Sequence, residues 1–243
     1  MKRNKYTIIE NRPLTREVYE MKLGGDTSEI SAPGQFVNIK LDGFYLRRPI
    51  SICDWKDGEL TILYKVVGQG TKAMAEMKEG GVLDLLCPLG NGYDLDKIAQ
   101  ASDTPLLAGG GVGIPPMYGL AKSLLARGLR PQVVLGFNTK DEIFYEAEFR
   151  ALGLAVTVMT ADGSYGKQGF VTDGFDAADY ACACGPEPML KAVWEKAEDG
   201  QFSFEARMAC GFGGCMGCSC KTKYGSKRIC KDGPVLERGE ILW

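Results

Sequence analysis

The chain has 243 residues, 45% apolar and 25% charged, with a formal net charge of −2, which allows one large core or two modest ones plus an appendage. It carries no basic block longer than a few residues and no run of about 18 apolar residues, so neither nucleic acid nor a membrane is an expected partner. Histidine is absent, which removes Ser-His-Asp triads, His-ligated zinc, Rieske centres and a histidine base, and leaves the chemistry to cofactors.

The opening stretch, MKRNKYTIIENRPL, is charged but has no apolar h-region, so no signal peptide is expected. Five or six short segments then read as strands: KYTIIENRPL, VYEMKLG, GQFVNIKLDG, RRPISICDW, ELTILYKVV and VLDLLCPLG. Each is rich in β-branched or aromatic residues, and Gly, Pro or Asp punctuate the gaps. The spacing predicts a small antiparallel barrel; a β-sandwich shares the same pattern. In RRPIS, Pro49 cannot donate to a ladder, so this strand is expected at an edge or opening towards a ligand. After YKVVGQGT, Thr71 is expected as the N-cap of a short helix whose free N–H groups favour a phosphate.

From about Ser102 the pattern changes. TPLLAGGGVGIPPMYGLAKSLLARG reads as strand, glycine turn and amphipathic helix with proline in its first turn. PQVVLGF, LAVTVMT and DYACACG read as further strands, with helices near EIFYEAEFRALG and over PEPMLKAVWEKA. Strands alternating with helices predict a parallel sheet with ligands beyond its carboxyl edge. GGGVGIPP departs from G-x-G-x-x-G, because Ile114 takes the last glycine's place. A second glycine turn, CGPEP, again follows a strand and opens a helix. Two such turns on one sheet edge point to a dinucleotide. After PQVVLGF, Lys140 sits beside Asp141 and Glu142 and no arginine offers to hold a 2′-phosphate, which favours NAD over NADP.

A barrel with RRPIS and GQGT, followed by a sheet with AGGGVGIPP and CGPEPML, resembles the ferredoxin–NADP reductase superfamily over residues 1 to about 200. The resemblance implies that Arg48, Pro49, Ile50 and Ser51 contact FAD, with Leu63, Tyr64 and Lys65 lining it and Gly70 and Thr71 meeting its pyrophosphate. It implies that Gly110, Gly111, Val112, Gly113, Cys184, Gly185 and Pro186 face NAD(H). The family strand often reads Arg-x-Tyr-Ser; Ile50 replaces the aromatic here and leaves the flavin's stacking partner open.

The nine cysteines are odd in number and concentrated in the last third, which fits metal-bound thiolates in a reducing cytoplasm better than disulfides. Cys210, Cys215, Cys218 and Cys230 give C-x4-C-x2-C-x11-C, whose first three members match the spacing of plant-type [2Fe–2S] sites. Glycines at 211, 213, 214 and 217 allow a loop to wrap closely enough for its N–H groups to reach the sulfurs. Zinc is the competitor, although its ribbons normally present two separated C-x2-C knuckles. Cys220 competes with Cys218 within CMGCSC; the three-cysteine match selects Cys218.

With RMACGFGGCMGCSC and RICKDGPVL added, the whole chain resembles the electron-transfer subunits of NAD-dependent (class 1B) dihydroorotate dehydrogenases. The resemblance implies a subunit carrying FAD and the cluster, paired two-by-two with an FMN-containing catalytic subunit, passing electrons from FMN through the cluster and FAD to NAD+ in pyrimidine biosynthesis. The reductase subunit of a ferredoxin:NADP oxidoreductase or sulfide dehydrogenase is the alternative, with a hydrogenase-linked diaphorase beyond it. A zinc-stabilised regulatory module would instead be colourless. The expected fold is multi-domain β and α/β: an FAD-binding barrel over 1–100, an NAD-binding parallel domain over 101–200, and a cluster module over 201–243. Trp243, Met117, Met159, Met189, Met208, Cys53 and Cys87 are expected as packing residues.

Overall fold

The computed structural model describes residues 1–243. Alternation of apolar and polar residues builds its first sheet, in which β1 (Lys2–Pro13), β2 (Val18–Gly24), β3 (Phe36–Lys40), β4 (Arg48–Lys56) and β5 (Glu59–Lys65) are followed by α1 (Gln69–Ala75) and β6 (Val82–Leu89). All pairs are antiparallel, and the order β1-β2-β5-β4-β3-β6 closes where β6 returns to β1. Inward side chains such as Ile8, Leu23, Val37, Ile39, Leu60, Ile62 and Leu85 fill the interior. The six strands and the barrel expected from the sequence are all present.

Closure is incomplete in one place. The β4–β5 ladder runs from Lys56–Glu59 to Ile52–Ile62 and stops. Beyond it, Arg48 to Ser51 pair only with β3, and Leu63 to Lys65 pair only with β2. Pro49 therefore lies on no edge strand of the sheet but on the half of a barrel strand that parts from its neighbour.

A short helix, α2 (Leu95–Ala101), leads out of the barrel. Its start is held by the Asp94 carboxylate, which accepts hydrogen bonds from the N–H groups of Asp96 and Lys97 at 3.1 Å each. Then come β7 (Leu106–Gly110), α3 (Ile114–Ala126), β8 (Gln132–Phe137), α4 (Glu146–Ala151), β9 (Val156–Thr160), β10 (Lys167–Gln168), β11 (Ala178–Cys184), α5 (Glu187–Lys196) and β12 (Ala197–Ser203). The strands pair in parallel in the order β10-β9-β8-β7-β11-β12. α3 covers one face of the sheet, where its Leu120, Ala121 and Leu124 join a core that reaches into the barrel through Val18, Cys53 and Leu63. α5 covers the other face with Leu190 and Val193.

The tail does not stand apart. β13 (Ser219–Thr222) and β14 (Gly225–Arg228) form a separate hairpin, but β15 (Val235–Glu237) returns to the nucleotide sheet, antiparallel to β12. The boundary expected at residue 200 falls inside β12, and the cysteine segment is an excursion between two strands of one sheet. β12 reads AEDGQFS, too polar at its start to show a strand pattern, and it forms because β11 offers it a ladder.

A buried polar contact adds to the shared core in fastening barrel to sheet. Tyr145, the only non-glycine residue with positive φ (65°), donates its hydroxyl proton to the buried carboxylate of Glu20 on β2 at 2.6 Å. Arg12 neutralises the same carboxylate from 2.7 Å. A strained backbone held by a buried charge-assisted bond fixes how the two units face each other.

Candidate functional site: two glycine turns, an open barrel seam and paired thiols

The open seam gathers most of the residues expected to hold FAD. Arg48 lies at its mouth, its guanidinium 4.8 Å from the centre of the Phe44 ring and hydrogen-bonded to the Leu46 carbonyl. A Cβ on Gly70 would collide with that guanidinium, so the arginine strand and the first turn of α1 share one cradle. The neighbouring Arg47 has a structural task instead: it bonds the Asp84 carboxylate at 2.6 Å and the carbonyls of Asn38 and Asp84.

Two expectations at the seam need correction. Thr71 is not the N-cap of α1; Gly68 is, and Thr71 stands at the third helical position. Its hydroxyl is occupied with the turn, accepting from the N–H groups of Val67 and Gly68 and donating to the Gly68 carbonyl. Tyr64 turns its ring into the barrel core, where the hydroxyl bonds Asn11 at 2.9 Å and the ring stacks on Tyr19. Of the three β5 residues, Leu63 faces the core shared with the sheet, and Lys65 reaches the cleft described next, 3.1 Å from Glu17.

The cleft, of about 270 Å³, lies between barrel and sheet. Gly111 and Val112 line it beyond the end of β7, with Phe137, Thr139, Asp141, Glu142 and Phe144 after β8 and Thr15, Arg16, Glu17 and Val18 from the barrel. Gly111 is left-handed (φ 51°) with open space where a Cβ would be. The other expected nucleotide residues stand behind this lining. A Cβ on Gly113 would collide with the Cys184 carbonyl, and one on Gly185 would meet Met189 and the Gly110 backbone. The two glycine turns thus close directly on each other. Burial, then the Glu205 charge, pushes the Cys184 thiol up to about 12 against the Ser203 hydroxyl, so it is a neutral packing group and no nucleophile. Pro186 is exposed beside the turn. Sequence patterning had no means of adding Phe137, Phe144 or Arg16 to the cleft. The acidic pair Asp141 and Glu142 was visible as the local alternative to a phosphate-binding arginine.

All nine cysteines are free, and five of them lie in the tail. The four at the expected positions come together as two pairs. Cys210 Sγ lies 3.4 Å from Cys215 Sγ, too far for a disulfide, and Cys218 Sγ accepts from the Cys230 N–H at 3.5 Å. No three of them converge on a point. A mononuclear zinc needs four sulfurs around one centre, whereas two irons bridged by sulfide take two thiolates each. The pairs fit the binuclear cluster.

The backbone completes that fit. Gly213 donates its N–H to Cys230 Sγ at 3.1 Å and Cys215 its N–H to Cys210 Sγ at 3.4 Å. Gly211 and Gly213 are both left-handed, at φ 75° and 85°, which the tight wrapping requires. Partial burial opposes ionisation of Cys210, but the N–H groups of Phe212, Cys215 and Gly214 and the Cys215 thiol outweigh it and bring the thiol down to about 6. Burial, then the Cys218 thiol, pushes Cys230 up to about 12. Cys220 lies on β13 opposite Lys227 and bonds none of the four. Arg228 ties the loop down by donating to the Gly213 carbonyl at 2.8 Å.

A description of the iron-sulfur cluster binding domain of dihydroorotate dehydrogenase B matches residues 205–242, and one of the oxidoreductase NAD-binding domain matches residues 107–195. A Fusobacterium nucleatum protein named dihydroorotate dehydrogenase B (NAD(+)), electron transfer subunit, is 46% identical over 99% of each chain. The chain belongs to this family of electron-transfer subunits. A second member, from a Geobacillus species, is 42% identical over 100% of this chain and 99% of its own. Among solved structures, a chain of an NADH-dependent reduced ferredoxin-NADP oxidoreductase superposes with a TM-score of 0.88 at 31% identity, covering 98% of this chain and 90% of that one. A ferredoxin NADP+ reductase from Neisseria gonorrhoeae with bound FAD and NADP, at 14% identity and a TM-score of 0.66, covers 81% of this chain and 90% of its own, and shares the fold. Membership in a family of subunits implies a catalytic partner. No helix is long and apolar enough to cross a membrane.

Proposed function

We infer that the chain takes electrons, one at a time, from a dihydroorotate-oxidising partner and delivers them in pairs to NAD+, serving pyrimidine biosynthesis. The observation that carries this reading is the pairing of the four thiols beside a reductase barrel whose seam is open. When bound, the flavin supplies the conversion between single electrons at the iron-sulfur cluster and a hydride at the nicotinamide.

The protein's part is to hold and orient. Arg48 and the Gly70 turn hold the flavin's diphosphate, by charge and by close backbone approach. Pro49, Ile50 and Ser51 present the unpaired side of β4 to the ring. Gly111 and Val112 form the floor on which the nicotinamide nucleotide rests, while Gly110, Gly113, Gly185 and Cys184 set that floor's shape from behind. Asp141 and Glu142 accept from ribose hydroxyls and repel a 2′-phosphate, which selects NAD. Cys210 and Cys215 would hold one iron and Cys218 and Cys230 the other. No side chain has to move a proton for hydride transfer, and the neutral Cys184 thiol agrees with that.

The partner carries FMN and the base that deprotonates dihydroorotate; two copies of each chain assemble, in the cytoplasm, where thiols stay reduced. We propose that each cofactor has its own stretch of chain, FAD on 1–100, NAD on 101–200 and the cluster on the excursion within 201–243. The likeness to the ferredoxin-NADP oxidoreductase chain favours a second reading, a reductase subunit serving another partner. Co-purification of the native complex separates them. A two-plus-two assembly that reduces NAD+ with dihydroorotate as sole donor is the expected result; an assembly that reduces NAD+ only with ferredoxin would select the second reading.

A further inference from the structure

Asn38 sits on β3, directly opposite Pro49 on the open half of β4 and opposite Leu86 on β6. Residues paired this way across an antiparallel ladder share a face of the sheet, so its amide stands next to the strand that would hold the flavin. Only 1% of the residue is exposed. Its Nδ2 donates to the backbone carbonyl of Cys210 at 3.2 Å, across 172 residues of chain. This is the sole hydrogen bond from the barrel to the cysteine loop between 209 and 218. The loop passes so close that a Cβ on Gly211 would collide with that amide nitrogen.

The other end of the same amide is unmatched. Asn38 Oδ1 is the one buried side-chain oxygen or nitrogen in the protein without a hydrogen-bond partner. An amide buried for packing alone would be an apolar residue or a satisfied one. Here one end grips the residue that bears a cluster thiol, and the other leaves a position for a donor the chain does not supply. The strand itself is held firmly: Arg47 bonds the Asn38 carbonyl at 3.1 Å and is anchored by Asp84.

We propose that Asn38 is a positioning residue for electron transfer, clamping the Cys210 end of the iron-sulfur loop against the flavin-bearing strand pair and so fixing the separation of the two redox groups. The proposal rests on the reading of the open seam and paired thiols as the flavin and cluster sites. Electron transfer falls steeply with separation, so a small drift of the Cys210 loop slows it without touching either end reaction. Asn38→Asp tests the bond with the shape kept, since a carboxylate cannot donate to the Cys210 carbonyl; Asn38→Ala removes the amide altogether.

The experiment uses the full chain, isolated anaerobically, with iron and FAD measured first. Wild-type protein lacking both would defeat the underlying reading and leave nothing to position. With both present, the variants are mixed rapidly with NADH, and bleaching of flavin and of cluster are followed separately. Flavin reduction is expected within about twofold of wild type and cluster reduction slowed at least severalfold, because electron transfer weakens with every ångström added between the two groups. The electron paramagnetic resonance spectrum of the reduced cluster should shift, a signature that general destabilisation would not give. Unchanged cluster kinetics and spectrum at full iron content would overturn the proposal. So would loss of iron with FAD retained in both variants, which would make Asn38 a support of the loop's folding.

Discussion

The barrel and sheet differ from the cysteine excursion in what holds them. The first two bury continuous apolar cores, in which Leu23, Ile39, Leu60, Leu107 and Leu120 are fully inaccessible, and their ladders would persist without a cofactor. Between residues 204 and 234 the only regular structure is the β13–β14 hairpin. Phe212, Met216 and Tyr224 are exposed there, while Cys218, Ile229 and Cys230 supply the buried contacts to the sheet. A region with so little apolar burial depends on its bound metal for order, and metal affinity becomes folding energy. Redox chemistry is thus carried on a segment that the cluster itself organises, mounted on a scaffold that needs no such help.

The sharpest way to break that contrast is to remove one ligand. Cys218→Ser should abolish cluster assembly, taking iron to background and dihydroorotate-dependent NAD+ reduction with it. FAD content and NADH-driven reduction of a flavin-directed dye should stay near wild type. Iron analysis, visible absorption and limited proteolysis check this, with cleavage expected to move into residues 204–234 and not into the barrel. Collapse of the whole chain would show that the excursion holds the scaffold together.

A smaller effect is expected at the scaffold's own junction. Gly113→Ala places a Cβ against the Cys184 carbonyl and must part the two glycine turns. Overpacking of this kind costs about 1–3 kcal/mol, so KM for NAD+ should rise about tenfold or more with iron and FAD unaltered. Steady-state kinetics at saturating dihydroorotate give the comparison.

The least effect concerns the barrel alone. Hydrogen bonding to Arg3 outweighs the burial that opposes it and, with Arg47, holds the Asp84 carboxyl below its usual range. A carboxyl depressed in the folded state contributes stability above its unfolded value, and that contribution is lost as pH falls through the folded one. Asp84→Asn should lower thermal stability at neutral pH, mainly through the half-buried Arg47, since the exposed Arg3 pair is screened by water. The difference from wild type should vanish in acid, and melting curves across that range test the sign.

Much of this was legible in local pattern. Six barrel strands, the β7 turn into α3 and the β11 turn into α5 follow from alternation, glycine and proline, since each depends on residues a few places apart. Trp243 against Phe204 and Trp194, and the buried Cys53 and Cys87, match the packing expected of them. β12 was not legible, because its polar start forms a strand only beside β11. Nor was Gly68 as the cap of α1, since any residue's backbone can take that place while a threonine three positions on supplies the hydroxyl.

The spacing C-x4-C-x2-C-x11-C determined that sulfur would gather in one loop, and the glycines around it that the loop could wrap. Which sulfurs face each other was decided by the fold: β12 and β15 bring the two ends of the excursion onto one sheet, and that closure sets Cys230 beside Cys218. The Asn38–Cys210 contact belongs to the same class. It joins residues 172 apart through the meeting of two units, and no local pattern encodes a distance that the packing of barrel against sheet creates.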